Sequence, residues 1–181
     1  MKIISGIYKG RNLLGFNIDG TRPTMDRVKE SLFAMIQDDI RDSVVLDLFS
    51  GSGNLGIEAL SQGAKLAYLV DKNPIAYRTI KENVSKLNIS STTPLNLDYK
   101  KALTYFRDNN IKFNVIFLDP PYDTNYIENS VRLIDEYNLV NDKGLVVCES
   151  SSLDKIIYSN NFEKIKEKKY GDKFVVILKK I

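Results

Sequence analysis

The chain has 181 residues, 43% of them hydrophobic and 27% charged, a composition that suits one compact domain with a true core and argues against disorder. It has no histidine and one cysteine, which excludes histidine triads, histidine general bases, histidine-containing zinc sites and internal disulfides. The net charge is only +3, no apolar run reaches the ~20 residues of a bilayer span, and no signal-peptide core follows Met1, so a soluble cytoplasmic protein is expected.

The opening stretch, Lys2–Phe16, holds two short apolar runs around Gly6-Ile7-Tyr8-Lys9-Gly10, which reads as a β-hairpin or ribbon with glycine in its turns. Residues 1–30 carry six basic side chains (Lys2, Lys9, Arg11, Arg22, Arg27, Lys29) against three acidic ones. They suit either a solvated surface or a phosphate-binding face. Gly20–Pro23 reads as a loop. Thr24 then caps a predicted helix running to about Ile40, with Asp26 in its first turn and Val28, Leu32, Phe33 and Ile36 at helical spacing.

From Ser43 the pattern changes. Val44–Phe49, Leu66–Val70, Asn114–Leu118 and Leu145–Cys148 are continuous apolar-rich runs, and Pro94–Leu97 is a further strand candidate. Such runs suit strands buried on both faces, as in a parallel sheet. Helical stretches at Leu55–Gln62, Ile75–Leu87, Lys100–Asn109 and Tyr126–Tyr137 separate them, which predicts a doubly wound α/β sheet with right-handed crossovers. Phe162–Lys169 and Phe174–Leu178, split by Tyr170-Gly171-Asp172, read as an antiparallel hairpin closing the sheet edge. Cys148 lies inside an apolar run and reads as a buried thiol, and the seven lysines of residues 162–181 read as solvated surface.

Three features carry chemistry. Gly51, Gly53 and Gly56 form a G-x-G-x-x-G pattern between a strand and a helix, where glycine permits a tight turn and close approach of a ligand. Asp71 ends the next strand 18 residues beyond Gly53, where a carboxylate can accept from both ribose hydroxyls of a nucleoside; its structural alternative is a cap for the helix at Pro74. Asp98 follows the third strand candidate and suits either an adenine amino group or a helix N-cap. The third feature is Asp119-Pro120-Pro121-Tyr122 after the fourth strand. Two prolines fix the backbone and remove two donors, leaving the Asp119 carboxylate and the Pro120 carbonyl as acceptors beside the flat face of Tyr122. A planar base with an exocyclic amino group fits that arrangement, and its nitrogen would be held in line with an activated methyl donor without any histidine base.

At these residues the chain resembles a known family. Asp-Pro-Pro-Tyr with an upstream Phe49-Ser50-Gly51-Ser52-Gly53 looks like the amino-methyltransferases of adenine N6 and guanine N2. Ile3-Ile4-Ser5-Gly6, Lys9-Gly10-Arg11 and above all Arg22–Phe33 look like the bacterial small-subunit (16S) ribosomal RNA guanine-N2 methyltransferases of the RsmD type. The resemblance spans nearly the whole chain. It implies the Rossmann-like class I methyltransferase fold, a seven-stranded mostly parallel sheet with a reversed C-terminal hairpin. It divides the chain into a basic hairpin extension, 1–22, and a methyltransferase domain, 23–181. It implies S-adenosylmethionine held by Asp47, Ser50, Gly51, Ser52, Gly53 and Asp71, with Asp98 near the adenine. It implies catalysis at Asp119, Pro120, Pro121 and Tyr122 on a flipped guanine, and RNA contacts from Lys2, Lys9, Arg11, Arg22, Thr24 and Arg27. Thr24 could instead simply cap its helix, and Arg27 could pair with Glu30 or Glu58. The implied partner is ribosomal RNA or an assembling small subunit, met by a monomer with no metal and no membrane contact.

Three other readings compete. A DNA adenine-N6 methyltransferase would share the chemistry but usually carries an inserted recognition region, for which these loops are short. An NAD-dependent oxidoreductase would use the glycine loop, yet the chain has no room for a substrate domain and no histidine for proton transfer. A silent RNA-binding module would have no use for an intact Asp-Pro-Pro-Tyr.

Overall fold

The computed structural model describes residues 1–15, 23–122 and 125–181, the side chains of Pro23 and Thr24 excepted. Of the expected loop Gly20–Pro23, Pro23 instead opens the first helix, whereas Gly20–Arg22 and the capping role of the Thr24 side chain lie outside the described residues.

Strands β1 (Val44–Asp47), β2 (Leu66–Val70), β3 (Thr92–Leu95), β4 (Phe113–Leu118), β5 (Val140–Ser150), β6 (Phe162–Tyr170) and β7 (Lys173–Lys180) form one sheet of order β3-β2-β1-β4-β5-β7-β6. β1 to β5 run parallel, and β7 lies antiparallel between β5 and β6. The strand order reverses between β1 and β4, so their C-terminal ends flank the crevice where open α/β sheets bind ligands.

Each buried strand shows its two faces to different helices. Val45, Leu69, Val115, Phe117, Val147 and Ile177 face a core shared with α1 (Pro23–Ile40), α2 (Asn54–Ser61) and α3 (Pro74–Lys86). Leu46, Ile116, Leu118, Val146, Cys148 and Leu178 face α4 (Tyr99–Asp108) and α5 (Tyr126–Glu136). Apolar residues on both faces are what the continuous runs require. α1 buries Val28, Leu32, Phe33, Ile36 and Ile40, and the Phe33 ring meets Phe117 at 5.6 Å between centroids. Truncating a fully buried phenylalanine such as Phe117 to alanine costs about 3–5 kcal/mol. Among the described residues, no helix is long and apolar enough to cross a membrane.

Two segments differ from the sequence reading. β5 starts at Val140, five residues before the apolar run, because its first turn is polar and exposed and its register against β4 shifts between Phe113 and Val115. Apolarity marks only the portion covered on both sides. At the N-terminus the expected ribbon reduces to one antiparallel bridge, Lys2 to Asn12, with flanking bonds from Ile3 N–H to Arg11 O (3.0 Å) and Gly10 N–H to Ile3 O (2.8 Å). The amides of Ile4 and Ser5 turn away to the Glu58 carboxylate of α2 at 3.0 Å each. Gly6 has φ +85°, and a Cβ there would sit 1.7 Å from the Ser61 carbonyl oxygen. Glycine thus lets the segment lie flat on α2, and Ile3 and Leu13 complete the core beneath it.

Candidate active site

The glycine loop follows β1. Gly51 (φ +57°) and Gly53 (φ +89°) adopt left-handed backbone, and a Cβ at Gly51 would meet nothing within 4 Å, so this turn offers bare backbone to open space. Gly56 serves packing: a Cβ there would approach Leu69 Cδ2 to 2.1 Å. Asp47, 1% exposed, holds the loop closed by accepting from Ser50 Oγ and Gly56 N–H, both at 3.0 Å. Burial pushes its carboxyl up to about 6, against those two hydrogen bonds. Ser52 is buried, with its hydroxyl 3.5 Å from Met1 Sδ and its carbonyl accepting from Asn83 Nδ2 at 2.9 Å.

Asp71 accepts from Gly51 N–H and Asn73 N–H, both at 2.9 Å, and so ties the glycine loop to the end of β2. It does not cap the following helix; Asn73 does, accepting from Ile75 N–H at 2.8 Å. Asp98 caps α4 through Lys100 N–H at 3.0 Å, its structural alternative. Next to these loops Phe49, Tyr99 and Tyr126 form an aromatic trio with centroids 5.2–5.6 Å apart. Side-chain spacing alone gave no hint of this wall.

Alternation along the strands decides which side chains meet. Ala67 and Leu69 of β2, Val45 of β1, Val115 and Phe117 of β4, Leu145 and Val147 of β5, and Val175 and Ile177 of β7 all face the α1 side. Two residues further along each strand, on that same face, come Asp71, Asp47, Asp119 and Glu149, and on the reversed β7 Lys173. Five neighbouring strands thus end in four carboxylates and one ammonium. Burial and the Glu149 carboxylate push Asp119 up to about 8, Lys173 pulling the other way and Asp47 adding to the rise. Lys173 forms an ion pair with Glu149 and lies 5.2 Å from the ring centroid of Tyr122. Burial works against the Lys173 ammonium, but Glu149, Tyr122 and Asp119 outweigh it and hold the charged form. Tyr122 remains 47% exposed, and a cleft lined by Pro120, Pro121, Tyr122, Glu149 and Lys155 opens beside it.

The tetrapeptide and the glycine loop therefore meet at one end of the sheet. Glu149 and Lys173 escaped the sequence reading. Glu149 has the signal that marked Asp71 and Asp119, an acid closing an apolar run. Lys173 has none, because only the reversed hairpin brings it there. The basic N-terminal residues divide. Lys2, Lys9, Arg11 and Arg27 are exposed. Lys29 is 2% exposed and pairs with Glu58 at 2.9 Å, so Glu58 is not a partner for Arg27.

The family described as Conserved hypothetical protein 95 matches residues 1–179. A ribosomal RNA small subunit methyltransferase D of Haemophilus influenzae is 35% identical over 173 residues, covering 94% of this chain and 89% of the relative. Its Escherichia coli namesake is 32% identical over 150 residues, 83% and 74% of the two chains. Among solved structures, a candidate methyltransferase of Escherichia coli, yhhF, superposes with a TM-score of 0.87 at 29% identity over 99% of this chain and 97% of that one. The fold is that of S-adenosylmethionine-dependent methyltransferases, and one more distant structure of that fold, at 15% identity and TM-score 0.71 over 95% of this chain and 52% of that one, was solved with S-adenosylhomocysteine. The chain is an enzyme of this fold, and it belongs to the Conserved hypothetical protein 95 family, that of the small-subunit ribosomal RNA methyltransferases D.

Proposed function

We propose that this chain transfers a methyl group from S-adenosylmethionine to the exocyclic N2 of a guanine in small-subunit ribosomal RNA. The observation that carries the reading is the convergence of Asp119-Pro120-Pro121-Tyr122 with the glycine loop and Asp71 at one crevice. The names of the relatives supply the polymer and support ribosomal RNA over DNA.

The residues fit the cofactor. Gly51 offers open backbone, Asp71 keeps lone pairs free beyond its two amide bonds, and the buried Asp47 holds the loop that would carry the cofactor. Asp98 and the aromatic trio, beside these loops, are the groups suited to a purine. When bound, S-adenosylmethionine supplies an activated methyl group on a sulfonium. The chain positions the acceptor: Asp119 and the Pro120 carbonyl accept the two N–H bonds of the amine, and the base stacks on Tyr122 after leaving its helix. The nitrogen gains a carbon and sheds one proton. Asp119, whose carboxyl binds a proton up to about 8, is a competent acceptor for it. Lys2, Lys9, Arg11, Arg22, Thr24 and Arg27 are assigned to the RNA; the four described side chains among them, Lys2, Lys9, Arg11 and Arg27, are exposed and suited to phosphates. A monomer in the cytoplasm, reached by assembling subunits, follows from that substrate.

The test is methyl transfer from labelled cofactor to small subunits from cells lacking this gene, with bulk DNA in parallel and digestion to nucleosides. N2-methylguanosine from the subunits alone is expected. N6-methyladenine in the DNA would overturn the substrate, and no transfer despite bound cofactor would overturn the activity.

A further inference from the structure

We infer that Glu149 and Lys173, next in line after Asp119, read the remaining edge of the target base and make the site selective for guanine. The inference rests on the proposed guanine-N2 activity and names two residues that nothing in the tetrapeptide points to.

The order of groups carries it. Across β4, β5 and β7 the strand ends present Asp119, then Glu149, then Lys173, on one face. In hydrogen-bond terms that is acceptor, acceptor, donor. The Watson–Crick edge of guanine reads amino donor at N2, N–H donor at N1 and carbonyl acceptor at O6, its complement in the same order. The adenine edge offers an amino donor and then a bare N1 acceptor, which would face the Glu149 carboxylate without a proton between them. The cytosine edge has the same mismatch at N3. Uracil presents a carbonyl first, against Asp119. Guanine is therefore the one common base that satisfies all three groups.

The pair is built for such a role. Glu149 and Lys173 are held side by side by their ion pair, 13% and 31% exposed, with Glu149 lining the cleft beside Tyr122 and Lys173 against the Tyr122 ring. An adjacent carboxylate and ammonium match the adjacent N1–H and O6 of a lactam, the same logic by which paired side chains read base edges in nucleic-acid complexes. The Lys173 ammonium has three donors; Glu149 takes one, the Tyr122 ring lies 5.2 Å away, and donors remain for O6. Tyr122 is also thereby steered by the group that reads the base, so stacking and edge recognition are set together.

2-Aminopurine separates the parts: it keeps the amino group that Asp119 meets and loses both N1–H and O6. The experiment compares small subunits reconstituted with guanine or with 2-aminopurine at the methylated position, measuring kcat/KM for wild type, Glu149→Gln and Lys173→Met. Wild type should prefer guanine by about a hundredfold, the scale of two lost edge contacts. In Glu149→Gln the amide oxygen can stay on Lys173 while its NH2 turns to the bare N1 of 2-aminopurine, so the preference should shrink at least about tenfold, with cofactor affinity and melting temperature retained. Lys173→Met should lower the guanine rate several-fold more than the 2-aminopurine rate, because only guanine has the O6 it meets, and this serves if the glutamine variant folds poorly. A wild-type preference near one, or variants that keep the full preference while methylating guanine, would overturn this assignment and leave the proposed activity standing. Loss of wild-type transfer to guanine-bearing subunits would instead overturn the activity, and this assignment with it.

Discussion

Two lysine–glutamate pairs lie on the α1 side of this sheet, and they are not equivalent. Lys29 and Glu58 are 2% and 0% exposed, and every valence is taken: the ammonium also donates to Lys2 O at 2.7 Å and Asn54 Oδ1 at 2.8 Å, and the carboxylate also accepts from Ile4, Ser5 and Gln62. Glu149 lines the cleft beside Tyr122, Lys173 is only partly buried against it, and both have bonding capacity left over. The first pair staples the N-terminal segment to α2 and α1. The second leaves its polar groups facing a ligand. A buried pair saturated by protein serves the fold, whereas a pair left partly open serves recognition.

The comparison breaks most readily at Lys29. Lys29→Met should cost about 3–5 kcal/mol in denaturant unfolding, because Glu58 would be left buried without its cation. At the other end, Asp119→Asn should lower kcat by about 10²–10³ while cofactor affinity, measured by calorimetry, changes little. A variant keeping near-normal turnover would remove Asp119 from the chemistry. Acid titration sharpens the contrast. Asp119 binds its proton up to about 8 when folded and only to 3.8 when unfolded, so the folded state holds one more proton between those values. Stability should therefore fall as pH rises through that window, with Asp47 contributing between 3.8 and about 6. Asp119→Asn should flatten the fall near 8; wild-type kcat/KM should rise with pH as Asp119 loses its proton, and that rise should vanish in the same variant. Lys173→Met, in a partly solvated pair, should cost only about 1 kcal/mol, several times less than Lys29→Met. The exposed Arg132–Glu136 pair on α5 sets the lower end: Arg132→Ala should cost no more than ~0.5 kcal/mol.

The parallel strands were legible because their residues are covered on both faces, and the chemistry was legible where it hangs on those strands' ends. Asp47, Asp71 and Asp119 each close or follow an apolar run, so their convergence follows from parallel order alone. The basic N-terminus was read only in outline. Its amides bond Glu58 rather than each other, and nothing in the local pattern of Lys2–Phe16 announces a partner 53 residues away. Lys29 looked like one more surface charge, since a side chain's burial depends on what packs over it. The aromatic trio was invisible for the same reason, its members coming from three separate connections.

What the sequence by itself determined is the alternation of strand and helix, the glycine turn and the rigid Asp-Pro-Pro-Tyr corner, all consequences of periodicity and backbone stereochemistry within a few residues. Only the tertiary structure decided which charges are walled in and which remain open. The reversed β7 carries Lys173 to Glu149 across 24 residues of chain, and burial turns one lysine–glutamate pair into a staple and leaves the other free to meet a base. Those outcomes are set by neighbours in space, whose identity no local pattern encodes.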